Sequence, residues 1–198
     1  YTIADEWLDG AASALILGDN VFYGHGLPEL VRQADARTEG ATIFGYQVSD
    51  PERYGVVEFG PDGAVLGIEE KPATPKSDYA VTGLYFFDDC APIYARTLKP
   101  SARGELEIAD LITCYLGDGA LSVELMGRGF AWLDTGTHDS LMDASEFVRV
   151  IERRQGVKIG CPEEVAFRMG FIDRDHLLAL AQPLMKTGYG RYLAKIAN

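Results

Sequence analysis

The chain has 198 residues, 47% hydrophobic and 24% charged, a composition that excludes a wholly disordered polypeptide and suffices for one domain with a sizeable core. Thirty Asp and Glu against 18 Lys and Arg give a net charge of -12, which argues against a broadly basic nucleic-acid-binding surface; a polyanionic small ligand would depend on locally placed cations. No apolar run reaches the roughly 18 residues of a spanning helix, and the first seven residues lack a signal-peptide pattern, so the chain reads as soluble and cytoplasmic, with no membrane partner.

In chain order, the opening residues read as the tail of a helix that leads into a strand over 14–17. A helix over 27–34 follows, with Pro28 in its first turn, and then an apolar strand over 41–48. Strand, helix and strand with little alternation point to an α/β architecture with a parallel sheet covered on both faces. Residues 56–59 and 64–70 flank Gly60-Pro61-Asp62-Gly63 and read as a hairpin, and 79–87 is a further long strand. Helical patterns then dominate, over 91–98, 106–116 and 139–154, with Thr137 a candidate N-cap; from Pro162 onward the pattern is almost wholly helical. Cys90, Cys114 and Cys161 are odd in number and widely spaced, the pattern of reduced thiols rather than of a disulfide framework or a zinc site.

Several residues stand where chemistry is ordinarily done. Asp19, in Gly18-Asp19-Asn20, follows a buried strand, and ligands gather at the carboxyl ends of strands in open α/β sheets; a plain turn explains the same tripeptide. Asp134 follows a short apolar stretch and precedes a long helix, which suits either a metal ligand or a helix-start residue. Together the two carboxylates would suit Mg²⁺, a hard ion that takes oxygen ligands and bridges to phosphates. Between them, Glu70 and Lys71 end a strand: a hydroxyl acceptor and a phosphate-facing cation if that end meets a cleft, a solvated charge pair if it does not. Gly55 would allow close approach to the backbone or mark a bulge, and Arg103, in a loop before a helix, is a second candidate phosphate cation or a partner of Glu105 or Glu107. His25, His138 and His176 are too scattered for a histidine metal cluster, and no serine-hydrolase elbow, Walker loop or dinucleotide fingerprint is present.

The segments LILGDNVFYG, DPERYGVVEF, EEKP, YAVTGLYFF, SARGELEIAD, GRGFAWLDTGT and CPEEVAFR occur in one order. That ordered set resembles the glucose-1-phosphate thymidylyltransferases among the sugar nucleotidyltransferases, over nearly the whole chain. The resemblance implies a Rossmann-like nucleotidyltransferase fold with a mixed, mostly parallel sheet, a core over 1–154 and a helical C-terminal extension over 155–198. It further implies Mg²⁺-dependent attack of glucose 1-phosphate on dTTP to give dTDP-glucose and pyrophosphate, in dTDP-rhamnose or other deoxysugar synthesis. Carried over by position, Asp19 and Asp134 are metal ligands, and Lys71 and Arg103 hold the sugar phosphate. Asn20, Gly55, Glu70 and the backbone of Val81 contact the sugar. Gly24, Glu164, Val165 and Arg168 match a second, regulatory nucleotide site in a homo-oligomer, a tetramer in the family, although Glu164 and Arg168 also suit an ordinary i,i+4 ion pair. The family's opening glycine-rich Gly-Gly-x-Gly-Thr-Arg-Leu loop has no counterpart here, so the chain reads as lacking the N-terminal segment and as inactive alone. The alternatives are a uridylyl- or cytidylyltransferase on another sugar phosphate, and a non-catalytic sugar-phosphate-binding or oligomerisation module.

Overall fold

Strands β3 (Ala41–Gln47) and β6 (Tyr79–Phe87) are apolar along almost their whole length, and that is the pattern of strands covered on both faces. The computed structural model, which describes residues 1–101 and 104–198, places them side by side at the centre of a mixed sheet. Its order is β5 (Val65–Glu70), β4 (Gly55–Phe59), β6, β3, β7 (Leu121–Met126), and β1 (Ser13–Ile16) pairs with the C-terminal half of β6. Turn chemistry decides the β4–β5 hairpin: Gly63, at φ +81°, closes the 60–63 turn, and Val57 pairs opposite Ile68.

The α/β class and the mixed sheet stand, but the parallel share is smaller than the strand–helix–strand order suggests. Among the described residues only β3 and β7 pair in parallel. β1 and β3 do run in the same direction, yet β6 enters between them antiparallel to both, so they are not hydrogen-bonded neighbours. Successive side chains of the central strands feed opposite layers. Ile43, Val81, Tyr85 and Phe87 pack with Ala91 and Ala95 of α3 (Ala91–Thr97) and with Leu111, Ile112 and Tyr115 of α4 (Ile108–Gly117). Phe44, Leu84 and Met126 pack instead with Ala34 of α2 (Leu27–Asp35).

The chain divides into two compact units, Tyr1–Asp134 and Thr135–Asn198, and the long helix over 138–155 lies in the second. Beyond the sheet, the first unit holds a short opening helix, α1 (Asp5–Leu8), and a ribbon of β2 (Asn20–Gly24) with β8 (Phe130–Asp134). The second consists of α5 (His138–Gln155), α6 (Pro162–Arg168), α7 (Arg174–Ala181) and α8 (Gly188–Ile196). Thr137 caps α5 in a reciprocal box with Ser140, Asp173 caps α7, and Thr187 caps α8. Leu177, Ala181, Tyr192, Leu193 and Cys161 form its core. All three cysteines are free, and among the described residues no helix is long and apolar enough to cross a membrane.

Asp88, just past the end of β6, ties three elements of the first unit together. Its Oδ1 accepts from the Tyr115 hydroxyl of α4 at 2.7 Å and from the Cys90 backbone N–H at 3.0 Å, and its Oδ2 accepts from the Gly40 N–H, ahead of β3, at 2.6 Å. Burial first, and then the bond to Asp88, raise the Tyr115 phenol above its ordinary value of 10.0. As pH climbs past that value the unfolded chain gives up this proton while the folded chain keeps it, so stability falls with rising pH. Tyr115→Phe is expected to lose about 1–3 kcal/mol at neutral pH, because it strips a donor from a partly buried carboxylate. It is also expected to flatten the alkaline decline; urea melts of both proteins at neutral pH and above pH 10 check the two together.

Candidate active site

β1 ends at Ile16, and Leu17 still donates its N–H to the Gly83 carbonyl at 2.8 Å before the chain turns at Gly18 and Asp19. β2 then pairs antiparallel with β8, with Asn20 opposite Asp134 and Phe22 opposite Trp132. Two carboxylates far apart in sequence are thereby brought to one end of one ribbon: Asp134 at the end of β8, and Asp19 immediately before β2.

Each carboxylate is held. Asp19 Oδ1 accepts from Asn20 Nδ2 at 2.7 Å. Asp134 Oδ1 accepts from the Tyr54 hydroxyl at 2.8 Å, and its Oδ2 accepts from Arg53 at 3.3 Å. Arg53 also donates to Asp50 at 2.8 Å, and its guanidinium carbon lies 5.2 Å from the centre of the Tyr54 ring. The Tyr54 ring in turn sits 5.0 Å from the Trp132 indole. Burial, and after it the bond to Asp134, push the Tyr54 phenol upward, so it stays a neutral donor to that carboxylate at physiological pH.

Gly55, Glu70 and Val81 also come together. In the β4–β5 hairpin Gly55 stands opposite Glu70. A Cβ at Gly55 would lie 3.2 Å from Glu70 Oε2 and 3.8 Å from the Val81 side chain, so glycine makes room for the carboxylate. Burial first, and then the negative charges of Glu70 and Asp19, raise the Tyr85 phenol of β6. Lys71 follows β5 in the left-handed region at φ +46°, with its N–H on the Tyr54 carbonyl at 2.9 Å. For a residue with a Cβ that conformation costs about 1 kcal/mol, and the next residue, Pro72, disfavours the right-handed alternative. Among the described residues the exposed Lys71 ammonium makes no ion pair, in keeping with a cation available to an anion.

Arg103 lies outside the described residues. Gly24 closes β2 opposite Phe130 in the first unit. Glu164, Val165 and Arg168 lie on α6 of the second, where Arg168 pairs with Glu164 at 2.7 Å, the Tyr192 hydroxyl donates to the other Glu164 oxygen, and Val165 is exposed. Sequence reasoning assigned nothing to Arg53, Tyr54, Gly83 or Trp132, although all four stand inside the motifs it singled out; their roles come from contacts across 80 or more residues for Tyr54–Asp134 and Asn20–Trp132, and 63 for Gly83–Asn20.

Asp19 and Asp134, at one end of the ribbon, are hard oxygen donors of the kind a hard divalent cation takes, with Arg53 the charge that must share or yield Asp134 Oδ2. A second group, Asp88, Asp89 and Cys90, also has ligand-capable atoms close together. Asp88 there is already committed to Tyr115, Cys90 and Gly40, which is a structural duty.

A central mixed sheet that presents paired acids and a strand-end lysine is the frame of a nucleotide-transfer enzyme, and the nucleotidyl transferase family model matches residues 1–150. The chain belongs to that family. Within it, the chain groups with the glucose-1-phosphate thymidylyltransferases: it is 57% identical to the one from Xanthomonas campestris pv. campestris across all of this chain and 67% of the relative, and 54% identical to the one from Mycolicibacterium smegmatis across 100% and 68%. A Bacillus anthracis structure assigned to the same enzyme and solved in complex with a sucrose is 40% identical, with a TM-score of 0.66 over 75% of this chain and 58% of that one. A UDP-glucose pyrophosphorylase solved with UDP-glucose shares the fold at 18% identity and TM-score 0.64. The chain thus spans about two thirds of the length of the curated relatives it matches.

Tyr54→Phe removes the hydroxyl donor from Asp134 and leaves it to Arg53 alone. The expected cost is about 1–2 kcal/mol, the range for a hydrogen bond to a partly screened carboxylate. Equilibrium urea unfolding at neutral pH measures it.

Proposed function

We propose that the chain is the sugar-phosphate-binding portion of a glucose-1-phosphate thymidylyltransferase, which joins glucose 1-phosphate to dTTP with release of pyrophosphate. The observation that carries this reading is the β2–β8 pairing, which sets Asn20 opposite Asp134 and so brings Asp19, the residue before Asn20, to the same end of the ribbon. The relatives that carry this activity by name match the chain from end to end.

In this reading a phosphate oxygen of glucose 1-phosphate attacks the α-phosphorus of dTTP in line, and the bond to the departing pyrophosphate breaks. Such a transfer needs positioning and charge neutralisation more than an acid–base pair. Lys71 and Arg103 hold the sugar phosphate by their positive charge. Glu70 accepts from sugar hydroxyls, and the gap at Gly55 together with the backbone of Val81 shapes the sugar's bed. Asp19 and Asp134 would hold Mg²⁺, which when bound neutralises charge on the transferring phosphoryl group. Tyr54 and Arg53 keep the Asp134 carboxylate oriented for that task.

The same reading extends to a cytoplasmic homo-oligomer, a tetramer, in dTDP-rhamnose synthesis. Its regulatory nucleotide site would draw on Glu164, Val165 and Arg168 of α6. In that site the Arg168 guanidinium would leave Glu164 to grip a diphosphate bidentately.

Calorimetric titration with glucose 1-phosphate tests the sugar side without requiring turnover. The chain is expected to bind it, and Lys71→Ala to bind about 10- to 100-fold more weakly, the effect of one charge-assisted hydrogen bond. Equal affinities would remove Lys71 from the site, and no binding by the unaltered chain would defeat the proposed function. Residues 1–198 contain no glycine-rich triphosphate loop, so with dTTP, glucose 1-phosphate and Mg²⁺ this chain is expected to release no pyrophosphate above background.

A further inference from the structure

The Asn20 carboxamide makes three hydrogen bonds. Its Oδ1 accepts from Trp132 Nε1 at 2.6 Å and from the Gly83 backbone N–H at 3.1 Å, which uses both of its lone pairs. Its Nδ2 donates one hydrogen to Asp19 Oδ1 at 2.7 Å. The carboxamide therefore lies between two fixed donors on one side and the Asp19 carboxylate on the other. Oδ1 and Nδ2 are two ends of one planar group, so whatever fixes the first fixes the second.

Gly83 supplies more than its N–H. A Cβ there would lie 2.5 Å from Asn20 Oδ1, 2.7 Å from Cγ and 2.9 Å from Nδ2, so the carboxamide occupies the place a side chain would take. The Gly83 carbonyl accepts from the Leu17 N–H at 2.8 Å, which anchors the backbone just before the Gly18-Asp19-Asn20 turn. β6 is irregular at this point: Phe44 of β3 stands opposite the three residues from Thr82 to Leu84, because the register shifts between Ile43 and Gly45. Both backbone groups of Gly83, and its missing side chain, thus serve the loop that carries Asp19.

We propose that Gly83 is a positioning residue, which seats the Asn20 carboxamide against its bare Cα and through it sets the Asp19 carboxylate for the divalent cation. The proposal rests on the reading of Asp19 as a ligand of that cation. Partners in this outer position ordinarily change metal affinity by about 10- to 100-fold when they are lost. The obstruction created by Gly83→Ala meets only the end of a flexible side chain, so Asn20 gives way rather than the sheet.

The test is the affinity of the full chain for Mn²⁺, a hard cation that takes oxygen ligands and whose free form is read directly by electron paramagnetic resonance. Gly83→Ala and Asn20→Ala are each expected to weaken Mn²⁺ binding about 10-fold, with far-ultraviolet circular dichroism unchanged. Gly83→Ala/Asn20→Ala is expected to bind no more weakly than Asn20→Ala alone, since the methyl group then has nothing to displace. This double variant also carries the test should Gly83→Ala fold poorly. Affinity in Gly83→Ala equal to that of the unaltered chain, or losses that multiply in the double variant, would overturn the proposal. Asp19→Asn separates the two layers of the argument. If it lowers Mn²⁺ affinity while Gly83→Ala does not, the positioning role alone fails; if it has no effect, or the unaltered chain binds no Mn²⁺, the ligand assignment fails and takes the positioning role with it.

Discussion

Everything at the candidate site depends on one antiparallel pairing, that of β2 with β8. Without it Asp19 and Asp134 belong to separate turns, each explicable as local punctuation; with it they share one end of a two-stranded ribbon. A two-stranded ribbon is marginal alone, and this one is secured by side chains that reach off it. Trp132 spends its only polar atom on Asn20, and its ring packs against Tyr54 and Tyr46, while the Tyr46 hydroxyl donates to the Phe130 carbonyl at 3.1 Å. The aromatic cluster behind the acids is therefore what holds the strand register, and a slip of one residue would turn Asp134 to the opposite face.

The main sheet contributes by a different route. β6 is long enough for β3 to cover one edge while β4 and β1 divide the other, so a single strand touches the hairpin that carries Glu70 and the strand that leads to Asp19. Both of its faces are buried, which leaves it little freedom to shift. A central strand with Val81 and Gly83 two residues apart gives the Gly55–Glu70 pair, beside Val81, and the Asn20 carboxamide, on Gly83, a common reference.

Much of this was legible in the sequence, and the pattern of what was not has a physical cause. The hairpin around Gly60-Pro61-Asp62-Gly63, the strand over 79–87, the cap at Thr137 and the helix starting at Pro162 are decided by neighbours in the chain, and each lies where local chemistry puts it. β7 and β2 carry no run apolar enough to stand out, since their burial is only partial. The antiparallel entry of β6 between β1 and β3 is a matter of long-range pairing, which strand–helix–strand order does not encode. For the site, the residue types that carry charge were visible one at a time, whereas their supports were not: Tyr54, Gly83 and Trp132 act through partners 63 or more residues away in the chain. The left-handed backbone at Lys71 was hidden because it belongs to a lysine rather than to a glycine or asparagine.

The charge balance explains why such supports are needed. A chain of net charge -12 repels polyanions at long range, and its candidate active site adds the carboxylates of Asp19, Glu70 and Asp134 to that repulsion. Arg53, set between Asp50 and Asp134, is spent on internal neutralisation. Lys71, with no ion pair among the described residues, is not. Attraction for a phosphate must then come over a few ångströms, where a fixed ammonium outweighs diffuse negative charge that solvent and salt screen. Holding Lys71 in a costly backbone conformation, Asp19 on Asn20, and Asp134 on Tyr54 and Arg53, keeps positive and negative groups from collapsing onto one another. Under the proposed function, that separation would let one small site recruit a phosphate and a hard cation together.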